Sequence, residues 1–286
     1  MDNSLLATME RIKANLERKS QNSNIAADAD PLHNLLDNTV TKQHALSRAY
    51  YRFGLVEKRC MEAMISKLNP MRNDNVQEIE LKALDYAKAF QVSDKIAYRD
   101  LASAIHGLMR TVITVDRLNG KKGRIEFTLM SKADYMEDEG RILCVFNPLV
   151  VPYLMGLKEK FSSYPLKNAV DFSSSYTWRF YELLVSWAKD KKETGGLFVG
   201  WFTPSVEELR EMLGVPPSYK WESFNRQVLV IAERELREKA SIHMDITRIK
   251  TSRKITHLKI EFIQSDQIPM PLAGGELPKK PRKGKA

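Results

Sequence analysis

The sequence predicts an α+β fold of two tandem domains, each a group of helices closed by a charged β-hairpin, between a flexible N-terminal arm and a disordered basic C-terminal tail. Three observations predict it. Residues 217–262 run from an amphipathic helix into a strand, a basic turn and a second strand. The order helix, strand, helix, helix, hairpin occurs once before, in the first half of the chain. The length, 286 residues, is enough for two ordinary cores.

Residues 1–40 are expected as the arm: a short polar helix and the loop QNSNIAADADP, with too few apolar residues for a core. The first domain, 41–161, opens with a helix over AYYRFGLVEKRCMEAMISKL that stops before Asn69-Pro70. EIELKALDYAKAFQV reads as a strand running into a helix. Ser93 then caps DKIAYRDLASAIHGLMR, whose wheel turns Ala97, Leu101, Ala104, Ile105 and Leu108 inward and Lys95, Arg99, Ser103, His106 and Arg110 outward. Three β-rich runs follow, the first two joined at Asn119-Gly120, a strong hairpin signal. Lys121, Lys122 and Arg124 at that turn give the first domain a basic wing. PLVVPYLMGLKEKF is expected as a helix and SSYPLKNAVDFSSS as the connection onward.

The second domain, 162–266, has a helix over SSSYTWRFYELLVSWAK, a strand at GLFVGWFT and a helix begun by Pro204-Ser205. In its last helix Phe224, Val228, Leu229, Ile231, Ala232 and Leu236 share one arc at about 100° per residue. Ser223, Arg226, Gln227, Arg234 and Arg237 fall opposite. Arg226 and Gln227 lie in the first turns, where a groove-inserted helix reaches base edges. Arginine there suits guanine and glutamine adenine, and Val230 suits a thymine methyl. Two alternating strands, 242–247 and 255–262, flank the turn from Arg248 to Lys254. Between Ile246 and Ile260 there are five basic residues and no acidic one. A helix with one charged face is by itself usually only solvated; a basic hairpin directly after it points to nucleic acid. The tail, 267–286, is rich in Pro, Gly and Lys, and its Lys279, Lys280, Arg282, Lys283 and Lys285 add nonspecific attraction for phosphate.

A net charge of +9 and a pI near 9.3 fit a polyanionic partner. No apolar run approaches the roughly 20 residues of a membrane span, and the N-terminus has no basic segment followed by an apolar one, so a soluble cytoplasmic protein is expected. Cys60 and Cys144 lack zinc-ligand spacing and read as reduced core residues. The five histidines never pair around one apolar residue, as a rolling-circle nuclease needs. Gly120-Lys-Lys-Gly123 is too short for a phosphate loop. Asp134, Glu137, Asp138 and Glu139 read as a solvated loop, and Tyr50, Tyr51, Trp178 and Tyr181 as core. No catalytic residue, metal or cofactor is expected.

The segments LASAIHGLMR, CVFNPLVVPYLMGLKEKFSSY, SSYTWRFYELLVSWAK, PPSYKWESFNRQVLVIAERELREK and KTSRKITHLKIEF stand in an order and spacing that resembles the iteron-binding plasmid replication initiators of the RepB type, built of two winged-helix domains. The resemblance covers residues 41–264. It implies that the second domain reads repeated origin sequences through Lys220, Ser223, Asn225, Arg226, Gln227 and Arg234, with Arg248, Lys250, Ser252, Arg253 and Lys254 as wing. Asn225, at the edge of the apolar arc, suits a base contact or a packing role equally. One Arg226 between Asn225 and Gln227 departs from relatives richer in arginine and leaves the base preference open. The first domain is implied to dimerise and to touch phosphates through Lys95, Arg99, Arg110, Lys121, Lys122 and Arg124. The implied partners are double-stranded origin DNA, a second copy (monomer and homodimer), and the host initiator, helicase and chaperones. A dimeric repressor on an inverted repeat is the alternative.

Overall fold

The computed structural model describes residues 34–72, 78–117 and 122–264. Most of the expected arm, the basic tail, the Asn119-Gly120 turn and Lys121 lie outside the described residues. A 3-10 turn, Leu35–Asp37, capped by Asn34, leads into β1 (Thr39–Gln43), where Val40 is buried. Then come α1 (His44–Ser47), α2 (Leu55–Ile65), β2 (Ile79–Lys82), α3 (Ala83–Phe90), α4 (Asp94–Arg110), β3 (Val112–Asp116), β4 (Arg124–Thr128), β5 (Met130–Met136), β6 (Arg141–Phe146) and β7 (Phe161–Pro165). The rest is α5 (Ser175–Trp187), β8 (Val199–Phe202), α6 (Val206–Met212), α7 (Trp221–Phe224), a π turn (Asn225–Leu229), α8 (Val230–Ala240), β9 (Ile242–Thr251) and β10 (Lys254–Gln264). Local chemistry starts two helices, α4 and α6, where the sequence predicts. The Ser93 hydroxyl accepts from the Ile96 amide at 3.4 Å, and Ser205 and Glu208 form a reciprocal capping box.

Strand order shows the repeat. The second unit has a sheet β8-β10-β9 and the first a sheet β2-β6-β5, both antiparallel, with the first strand beside the third. This corrects the expected first wing. The hairpin equivalent to β9–β10 is β5–β6, whose turn carries Glu137, Asp138 and Glu139. The basic hairpin β3–β4 is a separate two-stranded ribbon, attached by a bridge from Tyr50 to Thr114. Four strands stand where three β-rich runs are expected.

Three further expectations are corrected. The helix expected from residue 49 begins at Leu55, because Tyr50 exchanges backbone hydrogen bonds with Thr114 at 2.8 and 2.9 Å and Gly54 forms the cap. PLVVPYLMGLKEKF is not an α-helix: Pro148 and Pro152 lack amide protons, Gly156 takes a φ of 65°, and only a 3-10 turn, Val151–Tyr153, forms. The residues expected as a connection start with β7, which pairs with β1 from Thr39↔Pro165 to Gln43↔Phe161.

Under that pair lies a seam of buried charge. Lys42 (β1), Lys58 and Glu62 (α2), and Arg179 and Glu182 (α5) are all buried. The Lys42 ammonium donates to both Glu62 oxygens, at 2.9 and 3.0 Å, and to Glu182. Lys58 donates to Glu62 at 2.6 Å, Glu182 at 2.7 Å and the Tyr51 hydroxyl at 3.2 Å. Arg179 uses all five of its N–H groups, on Glu182, Tyr51 and the carbonyls of Ala49 and Met212. Burial alone raises the Glu182 carboxyl, but Lys42, Lys58 and Arg179 together hold it well below the usual carboxylate range. Through Ala49 and Met212, Arg179 ties α5 both to the chain before α2 and to the end of α6. Beside them Gly214, at φ 68°, sits so close that a Cβ would lie 2.5 Å from the Tyr51 carbonyl oxygen. Trp178 and Tyr181 are core, as expected, as are Tyr51 and the two thiols; burial raises the Cys144 thiol to about 12.

Candidate nucleic-acid interface

The expected recognition helix exists as one continuous rod, 221–240, with an irregular second turn. At the π turn the Val230 amide bonds the Asn225 carbonyl, five residues back instead of four. The extra residue rotates everything after it by about 100° relative to an unbroken helix. Ile231, central on the apolar arc of a regular wheel, is therefore only half-buried, while Phe224, Val228, Leu229, Ala232 and Leu236 are buried. Glu235 is also buried, accepting from the Ser173 amide at 3.0 Å and from the Ser173 hydroxyl and Lys239. The regular wheel puts Glu235 on the apolar arc, which was the available signal for it.

The outward side of this rod matches the sequence. Lys220, Arg226, Arg234 and Arg237 are exposed, Ser223 and Gln227 are half-buried, and Val230 is 50% exposed in the same stripe as Arg226. Asn225 is half-buried and turned toward the wing. Its Oδ1 accepts from the Arg248 guanidinium at 3.0 Å, and that guanidinium lies 5.6 Å from the Trp221 ring centroid.

The wing is longer than the sequence suggests. β9 continues to Thr251 and β10 starts at Lys254, leaving a two-residue turn, Ser252-Arg253. β-branched side chains extend the ladder to its tip, where the Thr251 and Thr256 hydroxyls meet at 3.1 Å. Ser252 takes a φ of 57°, uncommon for a residue with a Cβ. Arg248, Lys250, Ser252, Arg253 and Lys254 are all exposed. Among the described residues no acidic side chain pairs with Lys250, Arg253 or Arg226. Lys254 reaches Glu207 of α6 at 3.3 Å. The Glu207 carboxyl is held below its usual range by its own backbone N–H and then by Lys254.

In the first unit Lys95, Arg99 and Arg110 line the exposed side of α4, as expected, and Lys122 is exposed on the β3–β4 ribbon. Arg124 is engaged elsewhere. It donates to Glu211 of α6 at 2.9 Å, lies 3.6 Å from Asp116 and stacks over Tyr50 at 4.2 Å. It thus braces the ribbon against the second unit. Among the described residues no three His, Cys, Asp or Glu side chains come together as a metal site, and no helix is long and apolar enough to cross a membrane.

Comparison with known proteins accords with this geometry. Residues 39–185 match the family described as "Initiator Replication protein, WH1", and residues 205–262 match "Initiator Rep protein, WH2". The chain is 25% identical over 257 residues to the PI protein of Escherichia coli, covering 78% of this chain and 82% of that one. It is 23% identical over 170 residues to an uncharacterized 27.6 kDa protein of the same organism, covering 56% and 69%. The fold is similar to the crystal structure of Pi initiator protein in complex with iteron DNA, with a TM-score of 0.64 at 23% identity, covering 81% of this chain and 99% of that one. The first matched segment contains the sheet β2-β6-β5 and the second contains the rod with its wing, and the chain belongs to the initiator replication protein family, with that family's two winged-helix domains.

Proposed function

We propose that the protein initiates plasmid replication by binding directly repeated sequences, iterons, at the origin, and that it acts by binding and not by catalysis. The observation that carries this reading is the outward stripe of Arg226 and Val230 beside the unpaired wing cations Lys250 and Arg253. Base edges are read by the helix, and phosphates by Lys250 and Arg253 of the wing. The similarity to the Pi initiator, whose crystal structure is a complex with iteron DNA, supports the same use of this surface. Lys95, Arg99, Arg110 and Lys122 serve as phosphate contacts of the first unit. That unit also carries self-association, and the protein works in the bacterial cytoplasm with the host initiator, helicase and chaperones.

The test is binding to the DNA that flanks the gene. Footprinting is expected to protect tandem repeats about two helical turns apart, each contacted on one face of the duplex. Protection confined to a lone palindrome, bound as a dimer, would replace this reading with that of a repressor. Equal affinity for origin DNA and shuffled DNA would remove both.

A further inference from the structure

Arg248 differs from Lys250 and Arg253 in being held. It stands on β9 opposite Leu258, a buried core residue of β10, while its own side chain is exposed. From there it turns back to the rod. Its Nη2 donates to Asn225 Oδ1 at 3.0 Å, and its guanidinium lies over Trp221 at 5.6 Å. Trp221 is fixed in turn, edge-on to the buried Phe224 with ring centroids 6.0 Å apart. Asn225 is committed at two points: its side-chain oxygen to Arg248, and its backbone carbonyl to the Val230 amide that closes the π turn.

These commitments decide between the two roles open to Asn225. An asparagine that reads adenine needs its Oδ1 and Nδ2 together on the base edge, whereas here Oδ1 faces a guanidinium. An arginine on an exposed strand loses rotamer freedom on binding, and one already held against a ring and an amide loses less. A held guanidinium also keeps its fork in one direction, as bidentate recognition of guanine requires. Lys250 and Arg253 have no such holder among the described residues.

We infer that Asn225 is a positioning residue: with Trp221 it fixes Arg248 against the recognition helix, so that the wing supplies a second base-reading arginine beside Arg226. This rests on the function proposed above. The test is a double-mutant cycle of Asn225→Ala and Arg248→Ala in the full-length chain, with affinity measured on an origin fragment carrying the repeats and on a shuffled fragment. Arg248→Ala is expected to lower the preference for the repeats about tenfold, the size of one base contact. Asn225→Ala loses most of that preference alone and adds nothing in the Arg248→Ala background. Asn225→Asp, which keeps an acceptor for Arg248, retains the preference while weakening both DNAs together.

Three results each overturn the inference: additive losses, which make Asn225 a base reader; equal loss on both DNAs from Arg248→Ala, which makes it a phosphate contact; or an Asn225→Asp protein as indiscriminate as Asn225→Ala. In all three the unaltered protein still prefers the repeats and the proposed function stands. If the unaltered protein shows no preference, that function fails and the inference fails with it.

Discussion

The two units share a sheet order and place their charges in opposite ways. In the first, Lys42, Lys58 and Glu62 are buried in a seam closed by Arg179 and Glu182 of α5, and the wing turn is Glu137-Asp138-Glu139. In the second, the wing turn is Ser252-Arg253 between Lys250 and Lys254, all exposed. A cation saturated by buried carboxylates stabilises one arrangement of chain and is closed to DNA. A cation on an exposed hairpin adds little to folding and is free to displace counterions from a phosphate. Two hairpins of the same topology thus carry opposite charge at their tips.

The largest expected effect breaks the buried side of this comparison. Glu182→Gln leaves three buried cations facing one carboxylate and should destabilise the fold by about 3–5 kcal/mol, read by urea unfolding. The folded fraction should still prefer the repeats; a loss of preference in folded protein would tie the seam to DNA reading. Acid should act in the same direction. The Glu182 carboxyl is depressed in the folded state, so its contribution is complete above the ordinary value of 4.5 and is lost as pH falls through the lower folded value. Stability that rises on acidification below 4.5 would contradict the pairing.

On the exposed side, Arg226→Ala should reduce discrimination between repeat and shuffled DNA by about 1–3 kcal/mol, with melting temperature nearly unchanged. Equal weakening on both DNAs would make Arg226 a phosphate contact. The pair Lys250→Ala/Arg253→Ala should flatten the slope of log affinity against log salt by nearly two units, at about 0.9 per phosphate, on both DNAs alike. An unchanged slope would mean that the second wing points away from DNA. The smallest effect belongs to the first wing, where Glu137→Gln/Asp138→Asn should shift that slope by less than about half a unit. A larger shift would bring the acidic hairpin close to the duplex and end the contrast.

Much of this was legible in the sequence because it is local. The caps at Ser93 and Ser205, the alternation of β9 and β10, and the outward stripe of Arg226 and Val230 follow from neighbouring residues. Partners distant in the chain were not legible. The Asn119-Gly120 signal marks a hairpin but cannot say that β2 pairs with β6 instead of with that ribbon. β7 hides in a polar stretch because its partner, β1, lies at the other end of the unit. Lys58 with Glu62 and Arg179 with Glu182 look like ordinary surface pairs at helical spacing until β1 and α5 cover them. Asn225 was ambiguous for the same reason, since the wing that claims its side chain returns 23 residues later.

The π turn uncouples the two ends of the recognition rod. Ala232 and Leu236 anchor its far end in the core at one angular phase, and the exposed Arg226 points outward at another. Arg226 lies within the π turn, ahead of Ala232 and Leu236, so a change of its exposed side chain leaves the buried far half of the rod untouched. Deleting one residue from 225–229 would restore a regular helix and turn the outward face around Arg226 by about 100° relative to Ala232 and Leu236.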